Sequence, residues 1–156
     1  MNDNTSSSAE IKKKFTKILV AVDGSEASMD AADYAIEIAR KYNSELIALY
    51  VILSDITIFG PNLPPHITEI RQQATQHLDK IKQKLSDQDC DDKIHMRTEI
   101  ISSATTVGGI VNFAEKENID LIAIGTRGRS GFKKLLLGSV ASGVVTYAHC
   151  PVMVVK

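Results

Sequence analysis

Lys17-Ile18-Leu19-Val20-Ala21-Val22-Asp23-Gly24-Ser25 is the stretch that decides the fold. Ile18 to Val22 is an unbroken apolar run rich in branched residues, the pattern of a parallel strand covered on both faces rather than of an alternating, half-exposed one. Asp23-Gly24-Ser25 then breaks it. Beyond the break, Ala31, Ala35, Ile38, Ala39 and Tyr42 fall at helical spacing, with Ser25 available as N-cap and Asn43-Ser44 as the stop. Strand, tight turn and helix follow one another within thirty residues or so, the opening unit of an alternating β and α chain.

The pattern repeats downstream. Leu46 to Ile52 reads as a second buried strand, and Ser54 to His66, with Gly60, Pro61, Pro64 and Pro65, as a loop. Ile67, Ile70, Ala74, Leu78, Ile81 and Leu85 step by threes and fours, which predicts an amphipathic helix ending at Asp87-Gln88-Asp89. Ile94 to Ile101 alternates in part, with Met96, Thr98 and Ile100 on one side, as an edge strand does. Val107, Ile110, Phe113 and Ala114 predict a shorter helix, and Leu121 to Ile124 a fourth strand. Gly138-Ser139 opens a last helix whose predicted inner face is Val140, Val144, Tyr147 and Ala148, and Val152 to Val155 closes the chain as a fifth strand. Right-handed crossovers then place helices on both faces of an α/β, doubly wound parallel sheet.

At 156 residues the chain has the size of one domain, large enough to bury roughly 70% of its unfolded surface. Hydrophobic residues are 44% and charged residues 24% of the total, which excludes a disordered or fibrous chain. Residues 1 to 14, rich in Ser and Asn and ending in Lys12-Lys13-Lys14, are expected to form a disordered tail ahead of a domain over 15 to 156. Lys and Arg number 18 against 19 Asp and Glu, so no overall field draws nucleic acid or an anionic membrane, and neither is expected as a partner. The longest apolar run, Leu46 to Leu53, is far short of a bilayer span of about 20 residues. The polar N-terminus has no secretory pattern, which makes the cytoplasm the expected location.

Ligands of open parallel sheets sit beyond the carboxyl ends of the strands, at the point where strand order reverses. The residues to read there are Asp23-Gly24-Ser25, Val51-Ile52-Leu53 and the run from Gly125 to Gly131. Five of the nine glycines (125, 128, 131, 138 and 143) lie between residues 125 and 143, a clustering that marks close backbone approach. On one reading this is a phosphate site: Gly125 and Gly128 turn backbone N–H groups to an oxyanion, and Gly138-Ser139 adds a helix N-terminus, where free amides and the dipole favour anions. Arg127, Arg129, Lys133 and Lys134 add local positive charge. On the other, the glycines serve a tight strand exit and helix packing, and the basic residues are solvated.

Other chemistries find little support. The Walker A pattern, a G-x-G-x-x-G fingerprint after the first strand and a G-x-S-x-G elbow are all absent, so Ser25, Ser130, Ser139 and Ser142 read as caps or phosphate donors. His66, His77, His95 and His149 lack ligand spacing and read as locally satisfied. Asp87, Asp89, Asp91 and Asp92 lack the glycine turn and terminal Glu of a calcium loop. Cys90 and Cys150 have neither redox nor zinc spacing, and both read as structural thiols.

Gly125-Thr126-Arg127-Gly128, nine residues, then Gly138-Ser139 resembles the nucleotide-binding signature Gly-x2-Gly-x9-Gly-[Ser/Thr] of the universal stress protein family. The opening Lys17 to Ser25 and the closing Cys150-Pro151-Val152-Met153-Val154-Val155 resemble that family too, so the likeness runs over about residues 15 to 156. It implies an adenine-nucleotide alpha-hydrolase-like fold: an open five-stranded parallel sheet in the order 3-2-1-4-5, ATP at its carboxyl edge, and a homodimer through Val152 to Val155. By position it places Asp23 at the ribose or adenine end and the Val51 backbone at adenine. Gly125 and Gly128 fall along ribose and phosphates, and Gly138, Ser139 and Val140 at the phosphates. Ala21, Val22, Ile124 and Arg127 complete the expected binding set. No catalytic residue and no protein metal ligand is expected, and Mg or Mn as a companion of ATP is left open. Gly143 departs from the family pattern, at a cost of about 1 kcal/mol for a glycine inside a helix.

Three functions compete. The first is an ATP-binding regulatory protein of the stress response, with little or no hydrolysis and a regulatory partner of unknown identity. The second is a dimeric interaction module without nucleotide. The third is an ATP-using enzyme of the related fold, against which no Ser-Gly-Gly-x-Asp-Ser loop follows the first strand and no His-x-Gly-His occurs.

Overall fold

The computed structural model describes residues 15–54, 64–86, 94–127 and 137–156. Within them run β1 (Lys17–Ala21), α1 (Glu26–Tyr42), β2 (Glu45–Leu53), α2 (Pro65–Ser86), β3 (Met96–Ser103), α3 (Thr106–Lys116), β4 (Leu121–Gly125), α4 (Ser139–Tyr147) and β5 (Val152–Val155). The strands pair in parallel, in the order β3-β2-β1-β4-β5. The sheet order implied by the resemblance is therefore the observed one. The expected tail, most of the Ser54 to His66 loop, the acidic Asp87 to Asp92 turn and Cys90 lie outside the described residues.

Strand alternation explains the two cores. Ile18, Val20, Leu46 and Ala48 point to one side and pack with Ala31, Ala35 and Ile36 of α1 and with Leu78 and Ile81 of α2. Leu19, Ile47, Leu49 and Ile122 point to the other and meet Ile110 of α3 and Val144 of α4. Because both faces are covered, β1 and β2 carry apolar residues without alternation. Each fully buried Leu or Ile among them contributes about 1.5–3 kcal/mol. On β3 the expected alternation holds: Met96 and Ile100 pack against the α1 and α2 side. Arg97 instead reaches Glu45, Glu99 and Glu117, with 2.8 Å to Glu45 and 2.6 Å to Glu99.

The helix ends follow their sequence signals. Ser25 Oγ accepts from the Ser28 N–H at 3.2 Å, and Asn43 closes α1 in the left-handed region at φ 50°. One expectation fails on α4. Its buried residues are Ala141 and Val144, whereas Tyr147 is 69% exposed. The core-facing stripe of this helix runs through Ala141 and Val144 to Ala148, which packs against the core, so Tyr147 falls one position off it and faces out.

Asp120 secures the entry to β1. Its Oδ2 accepts from the Thr16 N–H (2.7 Å), the Thr16 hydroxyl (2.5 Å) and the Lys17 N–H (2.9 Å). Burial opposes its ionisation, but these three donors outweigh it and hold the carboxyl below its ordinary value. A depressed carboxylate stabilises the fold above the unfolded-state value and loses that contribution as pH falls through the folded one. Asp120→Asn is therefore expected to cost about 1–2 kcal/mol at pH 7, with the difference from the parent shrinking below about pH 4. Urea unfolding at both pH values checks this; an equal cost at pH 7 and pH 3 would count against it. The same Asp120 charge, after burial, holds the Cys150 thiol above its ordinary pKa, which suits an unreactive structural cysteine.

Candidate functional site

A cavity of about 450 Å³ opens where β1, β2 and β4 end, with the first turns of α3 and α4 as its far wall. This is the carboxyl-edge position that a doubly wound sheet reserves for ligands. Ala21, Val22, Asp23, Val51, Ile124, Gly125, Arg127, Gly138, Ser139 and Val140 all line it. Gly128, the remaining candidate, lies outside the described residues, as do Arg129, Ser130, Gly131, Lys133 and Lys134.

The β1 exit is a fixed turn. Asp23 Oδ1 accepts from the Ser25 N–H at 2.9 Å, and Gly24 sits at φ +81°, a conformation that side-chain-bearing residues rarely adopt. The open face of Gly24 is filled by the His77 imidazole of α2: a Cβ on Gly24 would come within 2.4 Å of its Nε2. That ring also lies parallel to Tyr50, with centroids 6.4 Å apart. His77 is thus a packing brace under the turn, in keeping with a locally satisfied histidine. The Ser25 hydroxyl caps α1 and also donates to the Arg127 carbonyl at 3.3 Å, tying the β4 exit to the β1 exit.

The β2 exit supplies an open backbone edge. Val22 N–H donates to Leu49 O at 2.9 Å, the last rung between β1 and β2. Val51 lies two residues further on, so its N–H and C=O turn to the side that β1 has vacated. A donor and an acceptor one residue wide therefore face the cavity, the arrangement that reads the edge of a planar heterocycle.

Gly125 and Gly138 both serve close backbone packing, while the helix start that Gly138 leads to keeps amides for an anion. A Cβ on Gly125 would stand 2.7 Å from the Ala27 carbonyl carbon, so this glycine lets α1 close on β4; the oxyanion role is not what requires it. Gly138 is likewise a close-approach residue, because a Cβ there would lie 2.7 Å from Thr126 O. Its own N–H is committed, donating to Thr126 O at 2.6 Å. The free amides expected at this helix N-terminus therefore begin after Gly138, at Ser139. Gly138 is the N-cap of α4 and Ser142 N–H the first donor of its ladder, onto Gly138 O at 2.9 Å. The amides of Ser139, Val140 and Ala141 consequently carry no intrahelical bond.

Leu53 and Thr126, read with the β2 and β4 exits, also line the cavity, whereas Thr106 and Ile70 line it and were not anticipated. Thr106 had a signal: it follows the third strand, whose exit deserved the same reading as the other three. Ile70 reads from sequence only as a core position of α2. Asp23 and Arg127 are the charged side chains among the described lining residues. Among the described residues no three His, Cys, Asp or Glu gather as metal ligands, and no helix is long and apolar enough to cross a membrane.

Fold and cavity together define a doubly wound α/β protein with a cleft at the strand-order reversal. The family model of the universal stress proteins matches residues 14–156, and the chain belongs to that family. Universal stress protein MJ0531 of Methanocaldococcus jannaschii is 39% identical over 148 residues, covering 91% of this chain and 82% of that protein. Universal stress protein YxiE of Bacillus subtilis is 32% identical over 148 residues, covering 91% and 99%. Among solved structures, MJ0577 of M. jannaschii superposes with a TM-score of 0.77 at 27% identity, covering 92% of this chain and 96% of that one. UspA of Lactobacillus plantarum gives 0.67 at 26%, covering 92% and 99%.

Proposed function

We propose that this chain is an ATP-binding, homodimeric regulatory protein of the stress response, acting through binding and partner contacts with little or no hydrolysis. One observation carries the reading: a single cavity joins an open backbone donor and acceptor at Val51 to the first-turn amides of α4, which carry no intrahelical bond. The first suits the edge of adenine and the second suits phosphate oxygens. Asp23, whose Oδ1 accepts from the Ser25 N–H of its own turn, is the group for ribose hydroxyls, and Arg127 adds charge at the phosphate end. A solved universal stress protein in complex with cAMP and another from Archaeoglobus fulgidus in complex with dAMP lend support from the family.

The lining residues argue for binding rather than turnover. No hydroxyl among them stands hydrogen-bonded to a histidine or carboxylate base, and the Ser28 hydroxyl is used within its own turn, donating to Ser25 O at 2.8 Å. Calorimetric titration with ATP is expected to saturate near one per protomer. Phosphate release under multiple turnover is expected far below the enzyme median of about 10 per second. An absence of ATP binding would overturn the ligand assignment. Rapid hydrolysis abolished by Asp23→Asn would overturn the regulatory one.

A further inference from the structure

Two glycines that do not line the cavity stand directly behind two of its walls. Gly143 lies inside α4, where glycine is a poor helix former, and faces Val107 of α3. A Cβ at Gly143 would lie 2.7 Å from Val107 Cγ2, 3.0 Å from Cγ1 and 3.4 Å from Cβ. All three atoms crowd the same point, so turning one branched side chain does not clear it and α4 would have to move off α3. Gly109 of α3 faces the end of β2. A Cβ there would lie 2.9 Å from Val51 Cγ1 and 3.0 Å from Ser103 Cβ.

We propose that Gly143 and Gly109 are positioning residues for the ligand: Gly143 sets where α4 presents its Ser139 and Val140 amides, and Gly109 sets the Val51 edge. The inference rests on the nucleotide reading of the cavity above. The glycine at 143 is then not a departure tolerated at a cost. It permits an approach between α3 and α4 closer than any side chain allows, and α4 is short enough to shift as a unit, carrying its first turn with it. A binding group holds its geometry only within about 0.5 Å, so a displacement of that order is felt by the ligand.

The test is calorimetric titration of ATP and of adenosine into the parent, Gly143→Ala, Val107→Ala, the double variant and Gly109→Ala, with thermal melts of each. Gly143→Ala is expected to weaken ATP roughly tenfold and adenosine by less than about threefold, with the melting point lowered by only a few degrees because alanine's helix preference offsets part of the cost of moving α4. Val107→Ala removes both crowding γ-carbons, so in the double variant ATP affinity should return to within about threefold of Val107→Ala alone. Gly109→Ala should weaken ATP and adenosine in the same proportion, since both share the base. Should Gly143→Ala not fold, the double variant carries the comparison with Val107→Ala. Parent affinity for ATP in Gly143→Ala, or a loss that Val107→Ala does not relieve, overturns the proposal while leaving the site assignment standing. A parent that binds neither ATP nor adenosine overturns the site assignment itself and this inference with it.

Discussion

Gly138→Val is expected to abolish measurable ATP binding, a loss of about 100-fold or more, in a protein that still folds. Two obstructions act together. The valine Cβ would fall 2.7 Å from Thr126 O, a backbone atom that cannot rotate aside. Relieving that contact breaks the 2.6 Å bond from Gly138 N–H to the same oxygen, which joins the β4 exit to α4. The branched carbons then reach the cavity mouth that Gly138 lines. Ser139→Ala is the control: it removes one hydroxyl, leaves every amide in place and should cost about 1–2 kcal/mol at most. Titration of both variants, with circular dichroism to verify folding, checks the contrast. Gly138→Val binding ATP as tightly as the parent would reduce the glycine motif to a packing device.

Val154→Pro is expected to convert a dimer into a folded monomer. Ile122 N–H donates to Pro151 O and Thr126 N–H to Val155 O, so the odd-numbered residues of this segment face β4. By strand alternation the backbone groups of Val152 and Val154 point away from the sheet. They form the free edge that an antiparallel copy, related by a two-fold axis, would pair with. Proline at 154 removes an outward N–H and spares the β4 ladder, so the protomer should survive while the pairing is lost. Analytical ultracentrifugation at micromolar concentration separates the outcomes. A monomeric parent, or a Val154→Pro dimer as tight as the parent, would contradict the arrangement.

The fold was largely legible in the sequence because β1, β2 and β4 are buried on both faces and so appear as unbroken apolar runs, each followed by a turn and a helical period. Asn43 and Ser25 mark helix ends by chemistry that acts locally, which a sequence displays directly. What depended on distant contacts was not legible. The roles of Gly125, Gly138 and Gly143 turn on which atom stands 2.7 Å away, namely the Ala27 backbone, Thr126 O and Val107. Tyr147 has the right helical spacing for a core position, yet Ala148 takes the core-facing place at that end of α4 and leaves the ring exposed. Ten of the eleven candidate site residues line one cavity. The carboxyl-edge rule, which needs only strand boundaries, reaches those at the β1, β2 and β4 exits, and the helix start and the family resemblance added Gly138, Ser139 and Val140. The exit of β3, read by the same rule, leads to Thr106.

In the proposed complex the cavity reads an adenine edge with the Val51 backbone and holds phosphates at the start of α4. Equilibrating the protein with an equimolar mixture of ATP, GTP, CTP and UTP, removing unbound nucleotide by rapid gel filtration and identifying what remains by mass tests it most directly. ATP is expected to be retained well ahead of the other three, near one per protomer. Retention of all four alike, or of none, would contradict it.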